Sequence, residues 1–213
     1  MSVRHLLALA CLATLFTAGA ASAAPAVSIP KAQWPFQATT VADFDEPWAM
    51  TFLPDGTLLV TEKRGALMRL DPNTRHKGAI TGIPAVAYGG QGGFGDVITH
   101  PRFANNGLIY LSYVEPGQGD TRGAAVARAK LTVDAAGGGT LSDLKVIWRQ
   151  DPNVTGNGHF GHRLAFGPDG KLWISSSERQ KFTPAQDMQT NLGKLIRLND
   201  DGSLPADNPF AAQ

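Results

Sequence analysis

The sequence predicts an all-β chain of the propeller class. Three observations carry this: short apolar strands broken by Pro-Asp-Gly and Asn-Gly turns, recurrence of that strand-turn-strand scheme, and no helical periodicity of useful length after the N-terminal apolar run. With 213 residues the chain is long enough to bury a sizeable core.

The first unit lies at 47–71, PWAMTFLPDGTLLVTEKRGALMRLD. A strand ends at Leu53, Pro54-Asp55-Gly56 turns the chain, and a second strand runs from Thr57 to Thr61. Lys63-Arg64-Gly65 turns it again, and a third strand runs from Ala66 to Leu70. Pro at the start of a turn and Gly at its end suit the backbone angles required there, so the stretch reads as a β-meander. Its middle strand is mostly apolar, as expected when both faces are covered. The scheme recurs at 97–114 with Asn106-Gly107 at the turn, and at 163–178 with Pro168-Asp169-Gly170. The turn glycines are separated by roughly 50 and 60 residues, room for about four short strands and a connection in each unit, which suits propeller blades. A β-sandwich competes, but it does not require the signature to recur at this period. A fourth unit is expected to start near Gly193. Three to four units do not close a ring, so the chain reads as the N-terminal part of a longer propeller.

Residues 1–23 read as a signal peptide: Arg4 and His5 precede an apolar run from Leu6 to Phe16, and Ala21-Ser22-Ala23 fits a cleavage site. A periplasmic or secreted protein is expected, starting at Ala24, with residues 24–213 as the propeller part. The run is short of the roughly 20 residues that span a bilayer, so no membrane span is expected in the mature chain. The single cysteine, Cys11, lies inside it, which leaves the mature chain without disulfides or thiolate chemistry. Nineteen basic and 18 acidic residues are interspersed to a net charge of +1. That distribution offers no electrostatic footprint for nucleic acid, and a small ligand is the expected partner.

Three segments hold groups with chemical potential. In YGGQGGFGDVITHP (88–101) two glycine pairs bracket Gln91, so backbone can approach a ligand while the amide donates and accepts. The local sequence by itself favours a flexible connection with Gln91 solvated. In GNGHFGHRLAF (156–166) His159 and His162 stand three apart, a spacing that serves a metal ligand or a hydrogen-bonded structural histidine equally well. Glu178 follows a strand end at Ser177, where a carboxylate can hold an imidazole in its basic tautomer or can be a plain surface charge.

Taken in order, PWAMTFLPDGTLLVTEKRG, GGQGGFGDV, GHFGHRLAFGPDGKLWISSSE and TPAQDMQTNLGKLIRLNDDGSLPADNPF resemble the soluble quinoprotein sugar dehydrogenases, also described as glucose/sorbosone or aldose sugar dehydrogenases. The resemblance covers nearly all of the mature chain. It implies a six-bladed β-propeller that binds pyrroloquinoline quinone (PQQ) with calcium, most of whose ligands are expected beyond Gln213. It also implies oxidation of an aldose at the anomeric carbon to a lactone with PQQ as hydride acceptor and a further electron acceptor. Matched by position, His159 is the general base, Glu178 orients and polarises it, and Gln91 contacts the quinone. No metal ligand is assigned. His162 stands where relatives often have glycine and reads as packing or as a change in substrate access. Two further departures are Gly158, where a polar residue commonly precedes the histidine, and Arg179-Gln180-Lys181 in place of an amide-rich stretch. The portion in hand is expected to be inactive alone. The alternative function is a non-catalytic propeller scaffold for binding, since fold does not fix function.

Overall fold

The computed structural model describes residues 35–210. The chain divides into two compact units, Met1–Thr39 and Thr40–Gln213. The described part of the first, residues 35–39, carries neither helix nor strand. Residues 1–23, expected to form a signal peptide, lie outside the described residues.

In the second unit nearly every element is a strand. The first meander comprises β1 (Pro47–Phe52), β2 (Leu58–Glu62), β3 (Ala66–Leu70) and β4 (Lys77–Thr81). The second comprises β5 (Phe94–Thr99), β6 (Leu108–Pro116), β7 (Thr121–Val133) and β8 (Gly139–Arg149), with β9 (Val154–Thr155) added to β7. The third comprises β10 (Gly161–Phe166), β11 (Leu172–Ser176) and β12 (Lys194–Leu198). Strands pair antiparallel within each meander, and β4 joins β8 by a parallel contact of only two residue pairs, Ile80 with Gly139 and Thr81 with Thr140. The first strands of the three lie side by side, β5 touching both β1 and β10. Meanders whose first strands converge in this way are arranged as propeller blades.

The strand pattern explains how they stack. On β6 alternate side chains point to opposite faces. Ile109, Leu111 and Tyr113 enter a core with Leu59, Leu67, Phe94 and Val97, whereas Tyr110 enters a second core with Leu164, Leu172, Ile174 and Leu198. Both faces of β2 are likewise covered, Leu59 in one cluster and Leu58 and Val60 in another. Each fully buried aliphatic side chain contributes about 1.5–3 kcal/mol, so face-to-face burial is the main stabilising interaction between sheets. A polar tie reinforces it: Tyr110 of β6 donates to the Asp200 carbonyl at 2.8 Å, and His100 Nε2, just past the end of β5, lies 3.3 Å from the Asp200 carboxylate in the turn after β12.

Two expectations are corrected. The Asn106-Gly107 turn is the end of a one-turn helix, α1 (Phe103–Asn106), closed by Gly107 at φ 64°, whose N–H donates to the Phe103 carbonyl at 2.7 Å. Asn106 itself is held there, its side-chain oxygen accepting the Leu108 N–H at 3.0 Å and its amide lying 3.0 Å from His100 Nδ1, so the turn signal was absorbed into a helix cap. The strand after Gly193 does not start a fourth unit. It is β12, paired with β11 from Leu172–Leu198 to Ser176–Lys194, and so completes the third meander as described.

Candidate active site

The segment 156–160 links β9 to β10, and Glu178 lies two residues past the end of β11, so adjacent strands deliver His159 and Glu178 to the same end of the third meander. His159 Nδ1 hydrogen-bonds Glu178 Oε1. The other carboxylate oxygen accepts the Phe182 N–H at 3.0 Å. These bonds, the one from His159 first, hold the Glu178 carboxyl down to about pKa 2. An ionised carboxylate only accepts, so the shared proton sits on Nδ1, the tautomer that leaves the Nε2 lone pair free to act as a base. The His159 side chain is 44% exposed and the Glu178 side chain 21%, which leaves the pair open to a small reactant.

Gln91 is brought to the same place. Its side-chain oxygen accepts the His159 N–H at 2.7 Å and its own N–H donates to the Asn157 carbonyl at 2.7 Å. Gly90 makes this approach possible: at φ 57°, an added Cβ would lie 2.6 Å from Asn157 Cβ and 2.7 Å from its carbonyl oxygen. The glycine pairs around Gln91 thus bring backbone against the histidine loop, and Gln91, itself exposed, is hydrogen-bonded to that loop. Asn157 is held in turn by Arg122 Nη1, which donates to its side-chain oxygen at 2.6 Å.

His162 is placed elsewhere. It is buried to 1% exposure, its Nδ1 lies 2.8 Å from Ser112 Oγ, and its ring sits 5.7 Å from the Trp48 ring. Burial first, and then the charges of Arg163 and Arg179, lower its pKa to about 4. Of the two readings open for His162, the structure selects packing.

Strain marks the same region. His159, Arg179, Gln180 and Phe182 all have positive φ, between 49° and 59°, although none is glycine. Such residues cost on the order of 1–3 kcal/mol each and persist only where surroundings hold them. Sequence reasoning gave no role to Arg122 or to Arg179. Position beside Glu178 was the one available signal for Arg179, and none existed for Arg122, which comes from β7 in another meander.

With this geometry in view, comparison with known proteins is decisive: the sequence model of the Glucose / Sorbosone dehydrogenase family matches residues 44–213. The chain belongs to the glucose/sorbosone dehydrogenase family. Aldose sugar dehydrogenase YliI of Escherichia coli is 36% identical over 192 residues, 87% of this chain and 51% of the relative. Among solved structures, a glucose dehydrogenase superposes with TM-score 0.78 at 38% identity, covering 82% of this chain and 51% of that one. The PQQ-bound aldose sugar dehydrogenase of Streptomyces coelicolor superposes with TM-score 0.70 at 28% identity, covering 81% and 50%. The chain thus spans about half the length of the curated relative it matches. No group of three His, Cys, Asp or Glu side chains that could hold a metal ion occurs among the described residues.

Proposed function

We propose that the protein carrying this sequence is an exported, PQQ-dependent dehydrogenase that oxidises an aldose at the anomeric carbon to its lactone. The observation that carries the reading is the His159–Glu178 pair, whose imidazole is 44% exposed and whose backbone N–H is held by Gln91.

The residues present fit PQQ, a planar tricarboxylate. Gln91 offers an amide and His159 an imidazole. Arg122, which makes no ion pair among the described residues, has a buried Nε without a hydrogen-bond partner. These are the donors that an anionic ring bearing carbonyl oxygens would need. When bound, PQQ supplies the quinone that takes the hydride and its electron pair. This chain's residues do the proton work: His159 Nε2 accepts the anomeric hydroxyl proton as the C1–H bond breaks and the C1–O bond becomes a carbonyl. Glu178 keeps Nδ1 protonated and stabilises the imidazolium that results. Gln91 and the Arg179 N–H, which donates to the His159 carbonyl at 3.2 Å, hold the backbone that carries the ring.

The deciding measurement is dye-linked aldose oxidation after reconstitution with PQQ. Turnover in the wild type and its loss in folded His159→Gln are expected. A protein that neither binds PQQ nor oxidises any aldose would be a binding scaffold instead.

A further inference from the structure

Arg179 is among the most deeply buried side chains, 1% exposed, and its guanidinium makes no ion pair among the described residues. Buried charges are normally paired with an opposite charge, because desolvation is otherwise uncompensated. Here the acceptors are mostly main-chain carbonyls, and two of them belong to the loop that presents His159. Nε donates to the Gly158 carbonyl at 2.9 Å, Nη2 to the Gly156 carbonyl at 2.6 Å, and Nη1 to the Arg122 carbonyl at 2.8 Å and to Gln150 Oε1 at 3.2 Å. The guanidinium carbon stacks 3.6 Å from the centre of the Phe160 ring, the residue after His159.

We propose that Arg179 is a positioning residue for the catalytic imidazole: its guanidinium draws the carbonyls of Gly156 and Gly158 inward and so fixes the loop that sets His159 against Glu178. The inference rests on the reading of His159 as the base. Geometry supports it in two ways. A planar fork with five donors can bind carbonyls that point along different directions, which no other side chain can do without losing partners. In addition, the loop is strained at His159, φ 49°, so it requires an outside restraint to hold that conformation. Burial, and then the nearby Arg122 charge, depress the Arg179 pKa to about 10, which still leaves the guanidinium charged at neutral pH.

The test uses the protein carrying this sequence, labelled with 15N-histidine, as wild type, Arg179→Lys and Arg179→Met. Ring 15N and Nδ1–H signals are recorded without cofactor, and kcat and KM for aldose oxidation after reconstitution with PQQ. In the wild type the His159 ring is expected in the Nδ1–H tautomer with a hydrogen-bonded proton. In Arg179→Lys, which keeps the charge and stem but not the fork, that proton should exchange with solvent about tenfold faster or more. kcat should fall about tenfold to a hundredfold with KM nearly unchanged, as expected for a misplaced base. Arg179→Met should lose the signature further if it folds; if it does not, the lysine variant decides. A folded variant that keeps both the wild-type ring signature and kcat overturns the proposal. If the wild type oxidises no aldose while Arg179→Lys still loses the ring signature, the clamp stands and the catalytic reading falls. If His159→Gln abolishes turnover but the Arg179 variants change neither readout, the clamp falls and the catalytic reading stands.

Discussion

At the scale of single residues, two histidines three positions apart have opposite fates because one points to solvent beside a carboxylate and the other into the core. His159→Gln should lower kcat by about a hundredfold to ten-thousandfold, the usual worth of a general base, with the circular dichroism spectrum unchanged. Glu178→Gln should cost less, about tenfold to a hundredfold, since the imidazole remains and only its orientation and tautomer are loosened. His162→Gly behaves differently. Glycine relieves the positive φ of 51° at that position, worth about 1–2 kcal/mol. It also opens a cavity beside Trp48 and leaves Ser112 Oγ without its ring partner, a large-to-small change in a core that typically costs about 2–5 kcal/mol. The second effect is larger, so the variant should show a lower urea midpoint with unaltered kcat per folded molecule. An unchanged midpoint would refute the packing role. The His159, Glu178 and Gln91 constellation was legible only because a family motif tied together segments far apart in sequence. Spacing alone says nothing about His159 N–H meeting Gln91. The burial of His162 was not legible, because its partners Trp48 and Ser112 come from β1 and β6.

At the scale of elements, strands bounded by Pro-Asp-Gly were readable nearly to the residue: β3 falls at Ala66–Leu70 as expected, and β1 and β2 are displaced by one position. What failed was a signal shared by two structures, since Asn-Gly ends a helix as readily as it turns a hairpin. Packing between elements was also hidden. Strand β5 lies against β10 because Gly95 has no side chain: an added Cβ would stand 2.0 Å from His162 Cε1 and 2.8 Å from Ser112 Oγ. The rings and backbone around it leave little room to yield. Gly95→Ala should therefore destabilise by about 1–3 kcal/mol, the usual cost of overpacking, and should shift the His162 ring resonances. Wild-type stability and ring shifts would show that β5 and β10 are more loosely apposed than the geometry states.

At the scale of the whole molecule, the proposed export predicts that N-terminal sequencing of secreted material begins at Ala24, and retention of Met1 would overturn it. The convergence of β1, β5 and β10 has a separate consequence for stability against pH. His162 is buried there with Trp48, Ser112 and Phe160 around it, Arg163 beside it in sequence and Asp96 on β5. Its folded pKa of about 4 lies below the ordinary value of 6.5, so between these values the unfolded chain binds a proton that the folded chain rejects. Stability from this group is complete above about pH 6.5 and is lost as pH falls toward 4, to a total of about 3 kcal/mol. Asp96 acts in the opposite sense: burial raises its pKa, so acid relieves a buried charge. Glu178, lowered to about 2, withdraws its contribution only below about pH 4.5. Glu178 thus stays out of the window from 6.5 to 4.5, where the loss from His162 is opposed by the Asp96 carboxyl as it takes up its proton. Urea unfolding of the wild type at pH 7.5 and 4.5 should show a loss about 2–3 kcal/mol larger than in His162→Gln, which keeps a polar group near Ser112 but cannot titrate. Equal losses in the two proteins would mean that His162 gains a proton without opening the strands around it, and that the acid sensitivity of the fold resides elsewhere.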